Sequence, residues 1–233
     1  MTLGRPDVLI AQGVVKSYRT EAEVVHALVD VDVTVHDGEF LAVTGPSGSG
    51  KTTLLNCLSG LDTIDAGSVV LDGVDLASAD DARRTEQRAL SMGFVFQTAN
   101  LLPDFTALEN VTLPMVLAGT APKEARRAAV VALERVGVGH RLGHYPSQLS
   151  GGEQQRVAIA RAFAKRPRIV WADEPTGNLD THTADQVIDL LRELHADGTT
   201  LILITHDVRL AAQADRGIEV RDGRVATDPT DRV

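Results

Sequence analysis

The chain of 233 residues has one cysteine, Cys57, so no disulfide can form within it. Cys57 falls in an apolar helical pattern at 54–58, where a small buried hydrophobe is expected rather than a reactive thiol. Long apolar runs are missing as well. The longest spans 128–133, far below the ~18 residues of a membrane-crossing helix. No signal-peptide pattern opens the sequence, and the expectation is a cytosolic chain without direct membrane insertion. Basic charge is also in short supply: 23 Lys and Arg stand against 32 Asp and Glu, a net charge of −9. That balance argues against a surface for free DNA or RNA. Internal repeats, low-complexity segments and long linkers are absent, and only 228–233 read as a loose tail. With 43 % apolar residues, the chain can bury a core as one large domain or two small ones.

What is present begins with residues 45–52, GPSGSGKT, which follow the apolar strand 40–44. G-x-x-x-x-G-K-[ST] after a strand bends backbone N–H groups around a β-phosphate, and the positive end of the following helix faces the same anion. That helix is expected from Lys51, with Leu54, Leu55 and Leu58 on one stripe and Gly60 as its stop. Lys51 would neutralise phosphate oxygens, and the Thr52 hydroxyl would ligate Mg²⁺.

Around this motif the N-terminal 40 residues read as strands. Val29, Val31, Val33 and Val35 alternate with polar residues, and Asp37 and Gly38 make a turn. Strands at 67–71 and 94–96 follow, the first ending in an Asp72-Gly73 turn. The texture from 101 to 145 is helical: Pro122 opens a stretch in which Ala125, Ala128, Val131 and Ala132 hold helical spacing, and Gly137 ends it. Beyond come a helix from Ser150, a strand at 169–172, a helix striped by Val187, Ile188, Leu191 and Leu194 with a stop at Gly198, and an apolar strand at 201–204. Apolar strands alternating with helices predict a parallel sheet covered on both faces, and 220–225 reads as a closing hairpin.

Two carboxylates, Asp173 and Glu174, close the strand 169–172, where parallel-sheet proteins place ligands. In phosphoryl transfer the first would hold the Mg²⁺ water shell and the second would polarise the attacking water. As surface or capping residues alone they would be unremarkable; beside a phosphate loop they suggest catalysis. His206 leaves the strand 201–204 in the same way and could touch a γ-phosphate, although Thr205 or Asp207 could cap the next helix without it. His26, His36, His140, His144, His182 and His195 have no comparable context and read as surface or packing residues. Residues 149–153, LSGGE, combine an S-x-x-E capping box with two glycines that leave amides unshielded at a helix start.

With these motifs in this order, the chain resembles an ABC-type ATPase, the nucleotide-binding subunit of a membrane transporter, over nearly its whole length. The phosphate loop matches the Walker A motif, Gln97 the Q-loop, 149–153 the family signature, 169–174 the Walker B strand, 178–180 the D-loop and His206 the switch histidine. The resemblance implies an α/β fold: a P-loop NTPase (RecA-like) core with an N-terminal antiparallel β-subdomain and an α-helical insert. It implies one domain over 1–233, with 1–97 and 146–233 as catalytic core and 98–145 as insert. Implied nucleotide contacts are Gly45, Pro46, Ser47, Gly48, Ser49, Gly50, Lys51, Thr52 and Thr53, with Tyr18 stacking on the base, the D-loop residue Asp180, and Ser150, Gly151 and Gly152 from a second copy. Thr52, Gln97 and Asp173 are the implied metal residues, and Glu174, His206 and Gln97 the catalytic ones. ATP and Mg²⁺ are the implied cofactors, and a head-to-tail homodimer beneath an integral-membrane permease, on the inner face of the cell membrane, is the implied assembly.

A narrower likeness, to ATPases of the macrolide-exporter and lipoprotein-releasing group, rests on 174–180, 101–111 and the extra residues 20–25. In that group 101–111 contributes to the surface that meets the permease, and some of its leucines would instead form core. Trp171 departs from the small aliphatic usual in its strand, and its indole N–H needs a partner. The expected work is ATP hydrolysis driving export or extraction of an amphiphilic substrate, or force transmission. A nucleotide-gated scaffold that activates a cell-wall enzyme is the alternative. A soluble relative acting on ribosomes or nucleic acid would carry tandem ATPase domains or coiled-coil insertions, and neither is present.

Overall fold

The structure, a computed structural model, describes residues 5–19 and 23–227. Residues 20–22 of the expected extra segment and the expected tail 228–233 lie outside the described residues. In chain order the elements are β1 (Asp7–Arg19), β2 (Val24–His36), β3 (Phe40–Thr44), α1 (Lys51–Leu58), β4 (Ala66–Leu71), β5 (Val74–Asp75), α2 (Asp81–Ser91) and β6 (Met92–Phe96). They continue as α3 (Ala107–Leu117), α4 (Pro122–Arg135), α5 (Gly151–Phe163), β7 (Ile169–Asp173), α6 (Thr181–His195), β8 (Thr200–Ile204), α7 (Val208–Ala211), β9 (Arg216–Arg221) and β10 (Arg224–Thr227). The chain divides into two compact units, Met1–Arg88 with Thr200–Val233, and Ala89–Thr199.

The first unit holds an antiparallel sheet in the order β2-β1-β4-β5, the expected N-terminal β-subdomain. Val31, Val33 and Val35 face inward as their alternation predicts. Val29 does not. Asp30 takes φ +55°, the β1–β2 register slips between the Val14–Val31 and Lys16–Leu28 pairs, and Leu28 becomes the buried residue. One extra residue in a bulge shifts the phase of every side chain before it. Asp72 with Gly73, and Asp222 with Gly223, have positive φ at both positions, the signature of the tight turn that matches strand twist.

In the same unit β3 runs parallel to β8 on one side and to β9 on the other, and β10 returns antiparallel on β9. Phe40, Leu41, Ala42 and Val43 are all buried, as befits a strand with neighbours on both edges. At its start Glu39 accepts from Arg216 Nε at 2.6 Å and from the His36 N–H at 2.8 Å. Both partners of this ion pair are buried, and removing one would leave a bare internal charge, a loss of about 3–5 kcal/mol.

In the second unit β6 and β7 pair in parallel, Met92 with Ile169 through Phe96 with Asp173. A Cβ at Gly93 would lie 2.4 Å from the Ala162 carbonyl oxygen, so glycine lets α5 lie directly on β6. Helix α3 starts with a Thr106–Glu109 capping box, and buried Asn110 pins the preceding loop by accepting from Leu102 N–H and donating to the Leu102, Phe105 and Thr106 carbonyls. Helix α4 has Pro122 in its first turn and Gly137 just beyond it, as predicted. Its inward stripe is Ala125, Ala129 and Leu133; of the four residues read at helical spacing only Ala125 lies on it. Val131 is 63 % exposed. The run 128–133 is apolar on every face of a helix, so spacing alone could not choose the face; the larger Leu133 chose it. Helix α6 buries Val187, Ile188, Leu190, Leu191 and Leu194 and is followed by Gly198 at φ +97°. Trp171 is 1 % exposed, and its Nε1–H has no partner among the described residues, so the demand anticipated from sequence goes unmet.

Candidate nucleotide site

The candidate residues fall into two groups, one in each unit. In the first unit α1 begins at Gly50 with φ +105°, with no side-chain cap and no acidic residue in its first turn. A helix start of this kind presents its positive end to an anionic ligand. Three glycines make the loop possible. A Cβ at Gly45 would lie 2.1 Å from the Val220 carbonyl oxygen and one at Gly50 would lie 2.5 Å from that of Ala27, whereas at Gly48, φ +78°, it would meet nothing within 4 Å. Gly45 and Gly50 thus pack backbone on backbone, and Gly48 keeps a cradle open above the loop. The closing hairpin turns out to brace this loop: Gly223 donates its N–H to the Ser49 carbonyl at 2.9 Å.

Lys51 Nζ donates to the Gly45 and Pro46 carbonyls, both at 2.9 Å, which holds the ammonium over the loop. Ser49 Oγ is buried with no partner among the described residues. A cavity of about 470 Å³ is lined by Gly48, Gly50, Lys51, Thr52 and Thr53 on one side and by Tyr18, Val25 and His26 on the other. Pockets of roughly 300–1,000 Å³ suit small-molecule ligands. His26, read as a surface or packing residue, is exposed but lines this cavity and pairs through Nδ1 with Ser17 Oγ at 3.0 Å. Nothing in its sequence context marked it.

Tyr18 is 39 % exposed, and its hydroxyl donates to Asp62 Oδ2 at 2.7 Å. Burial, reinforced by that acceptor, pushes the phenol up to about 12. Asp62 goes the other way. Burial works against its charge, but hydrogen bonds from Lys16, Tyr18 and the Thr63 amide hold the carboxyl below its ordinary value. Cys57 is 2 % exposed with its thiol pushed up to about 12 by burial, the inert thiol expected. His206 follows β8 as an exposed residue, and Asp207 caps α7 by accepting from the Arg209 N–H.

In the second unit Asp173 ends β7, and Glu174 follows at φ +46°, a left-handed conformation that costs a non-glycine residue about 1 kcal/mol or more. The strain turns the chain sharply, and Gly177 N–H donates back to the Glu174 carbonyl at 3.0 Å. Gln97 touches this turn. Its Nε2 donates to Asn178 Oδ1 at 3.3 Å, and Asn178 Nδ2 returns to the Gln97 carbonyl at 3.2 Å. A Cβ at Gly177 would lie 2.7 Å from Gln97 Nε2. Helix α5 holds the same segment from behind: Gln155 donates to the Phe96 carbonyl at 2.9 Å, and Arg161 to those of Ala99 and Asn100 at 2.7 Å.

The signature also starts a helix in the predicted way. Ser150 Oγ accepts from the Glu153 N–H at 3.3 Å, while Glu153 Oε2 accepts from the Ser150 N–H and Oγ–H, both at 2.9 Å. The Ser150 amide and the Arg141 guanidinium draw the Glu153 carboxyl down to about 2. Gly151 is exposed. A Cβ at Gly152 would lie 2.6 Å from Thr183 Cγ2, so the glycine seats α5 against the start of α6. Asp180 caps α6 with both oxygens, accepting from Thr183 N–H at 3.0 Å and Thr183 Oγ1–H at 2.7 Å. The structure thus brings together Tyr18 with the phosphate loop in one unit, and Gln97, the turn after Glu174 and the signature with Asp180 in the other.

An apolar strand, a glycine-rich loop closed on its lysine and an uncapped helix define a phosphate-loop nucleotide-binding protein. The family model of ABC transporters matches residues 28–177, and the chain belongs to that family as one of its ATP-binding, ATP-hydrolysing domains. It is similar, at 50 % identity over 94 % of this chain and 96 % of the relative, to the lipoprotein-releasing system ATP-binding protein LolD of Pseudomonas syringae pv. tomato. The uncharacterized ABC transporter ATP-binding protein YvrO of Bacillus subtilis is 48 % identical over 95 % of this chain and 96 % of its own. Among solved structures, the dimeric post-hydrolysis state of the ATP-binding cassette MJ0796 bound to ADP and Pi superposes with a TM-score of 0.87 at 40 % identity, covering 94 % of this chain and 97 % of that one. The α/β P-loop fold, the ATPase activity and the likeness to the lipoprotein-releasing group expected from the motifs are therefore borne out.

Proposed function

We propose that two copies of this chain close head to tail around ATP and drive an integral-membrane permease, exporting or extracting an amphiphilic substrate or transmitting force across the membrane. One observation carries the reading: the candidate base-stacking Tyr18 and the phosphate loop line one cavity. Gly45 through Thr53 would hold the phosphates of the chain's own ATP, and Ser150, Gly151 and Gly152 of the other copy would close on the γ-phosphate. The exposure of Gly151 at the start of α5 supports this, as does the dimer formed by the related cassette bound to ADP and Pi.

Glu174 would polarise the attacking water, His206 would contact the γ-phosphate, and Gln97 would relay the state of the site to the helical insert of about 98–145. Among the described residues no group of three or more His, Cys, Asp or Glu could hold a metal. The Thr52 hydroxyl, the Gln97 amide and the Asp173 carboxylate are too weak a set to capture an ion alone, which suits Mg²⁺ arriving on the nucleotide phosphates. Those three residues would hold it, and its charge would offset that developing on the transferred phosphoryl group.

In the 101–111 segment, Ala107, Leu108 and Val111 are core, while Leu102 and Phe105 are exposed and offer an apolar contact to the permease. Among the described residues no helix is long and apolar enough to cross a membrane, so the chain would sit on the inner face of the cell membrane through its partner. Glu174→Gln tests the assembly: the variant should keep ATP, lose hydrolysis and elute as a dimer with saturating MgATP. A monomer under those conditions contradicts the head-to-tail reading.

A further inference from the structure

We propose that Asp62 and Lys16 are positioning residues for the nucleotide base: they fix Tyr18 in the plane against which the base stacks, and so set affinity for the base rather than for the phosphates. The proposal rests on the reading of Tyr18 as the base-stacking ring.

Asp62 lies in the loop between α1 and β4, and its two oxygens are divided between two tasks. Oδ2 accepts from the Tyr18 hydroxyl at 2.7 Å; Oδ1 accepts from Lys16 Nζ at 2.8 Å and from the Thr63 N–H at 2.7 Å. Lys16 Nζ also donates to the Thr63 carbonyl at 2.7 Å and stands 5.1 Å from the centroid of the Tyr18 ring. The ring is thus tied at its hydroxyl and attended by a cation, an arrangement that fixes both of its torsions. The loop itself is tied to β1: Asp65 donates its N–H to the Val15 carbonyl at 2.8 Å, and its carboxylate accepts from the Ser17 N–H at 2.7 Å.

Neither Asp62 nor Lys16 lines the 470 Å³ cavity that Tyr18 shares with the phosphate loop. They would not touch a ligand there, whereas the ring would. Lys16 is 7 % exposed and the Asp62 side chain 31 %, and a half-buried ion pair is a poor source of stability compared with packed apolar residues. A carboxylate pinned by an ammonium and a backbone amide is, however, a rigid acceptor for a phenol. A free tyrosine on a strand edge would have to be ordered by the nucleotide; this one is ordered beforehand, which removes that entropy loss from binding.

The test compares ATP with inorganic tripolyphosphate, which carries the phosphates without the base, by titration calorimetry on the full chain. Tyr18→Phe keeps the ring and the ion pair but removes the tether, and Asp62→Ala removes the acceptor. Each should weaken ATP by about three- to tenfold, leave tripolyphosphate unchanged, and combine to no more than either alone; Asp62→Asn, which retains an acceptor oxygen, should recover part of the loss. If Tyr18→Ala weakens ATP but Tyr18→Phe binds like the parent, base stacking stands and the positioning proposal falls. If Tyr18→Ala binds ATP like the parent, the stacking reading itself falls and takes the proposal with it. An equal loss for ATP and tripolyphosphate in Asp62→Ala would mark a damaged fold and leave the decision to Tyr18→Phe, whose ion pair is intact.

Discussion

Helix α1 starts at a left-handed glycine with no side-chain acceptor and no acid in its first turn, whereas α5 starts at a serine that trades hydrogen bonds with a glutamate three residues on. Both ends are proposed to meet phosphate, the first from the chain's own nucleotide and the second from that of another copy. The two ends are held in shape by different means. The α5 end is closed by its own carboxylate, so it keeps its shape without a ligand, and the exposed Gly151 remains beside the cap. At the α1 end the loop is shaped by backbone contacts at Gly45 and Gly50 and by Lys51 bound to two carbonyls, with no capping side chain and no acid in the first turn. The first end is built to be completed by an anion, the second to be presented to one.

The largest expected effect comes from removing the cation of the α1 end. Lys51→Ala should lower kcat/KM for ATP by about 10²–10³-fold, because the amides alone cannot neutralise the phosphates, while the thermal midpoint of the free chain falls by only a few degrees with the two Nζ hydrogen bonds. Steady-state phosphate release and a thermal melt without nucleotide check both halves. A large loss of stability in the free variant would mean that Lys51, like Ser150, is part of what holds its helix together.

These two ends were the most legible parts of the sequence because their chemistry is local. A phosphate loop and a capping box each fit within eight residues, and the Asp-Gly turns at 72–73 and 222–223 within two. What stayed hidden depended on partners far along the chain. Asp62 serves Lys16 and Tyr18 from more than forty positions away, and Glu39 meets Arg216 across most of the chain. Helix α2 was invisible because only Gln87 and Ser91 in it are buried, so it carries no apolar period to detect. Its supports are polar: Asp80 accepts from the Arg83 N–H at 2.8 Å, and Arg88 donates to the Gly60 carbonyl. The bulge at Asp30 and the rotated face of α4 share one cause. Both lie in runs rich in apolar residues, where several phases satisfy the pattern and only packing selects one.

A smaller effect is expected at the α5 end. Ser150→Ala removes the acceptor for the Glu153 N–H and should cost about 1 kcal/mol, a fall of about 2–4 °C in the thermal midpoint for a chain of this size. Affinity of the free chain for ATP should stay as it was, because its own nucleotide is held at α1. Calorimetric ATP titration beside the melt reads both quantities. A loss of ATP affinity in the free chain would instead make the start of α5 part of the chain's own site.

The smallest effect separates charge from geometry at that cap. Glu153→Gln keeps an oxygen for the Ser150 amide but gives up the ionic contact with Arg141, whose Nε donates to Glu153 Oε1 at 2.8 Å. At pH 7 the variant should be less stable by a few tenths of a kcal/mol. The folded carboxyl takes up its proton only near 2, against 4.5 for the unconstrained group. Between those values the unfolded chain binds the proton and the folded one does not. The stability that the carboxylate confers is therefore full above pH 4.5 and drains away as the pH falls toward 2. The gap between parent and Glu153→Gln should accordingly narrow when urea midpoints are measured at pH 7, 4.5 and 3. A gap of constant size across that range would show that the cap works through shape alone.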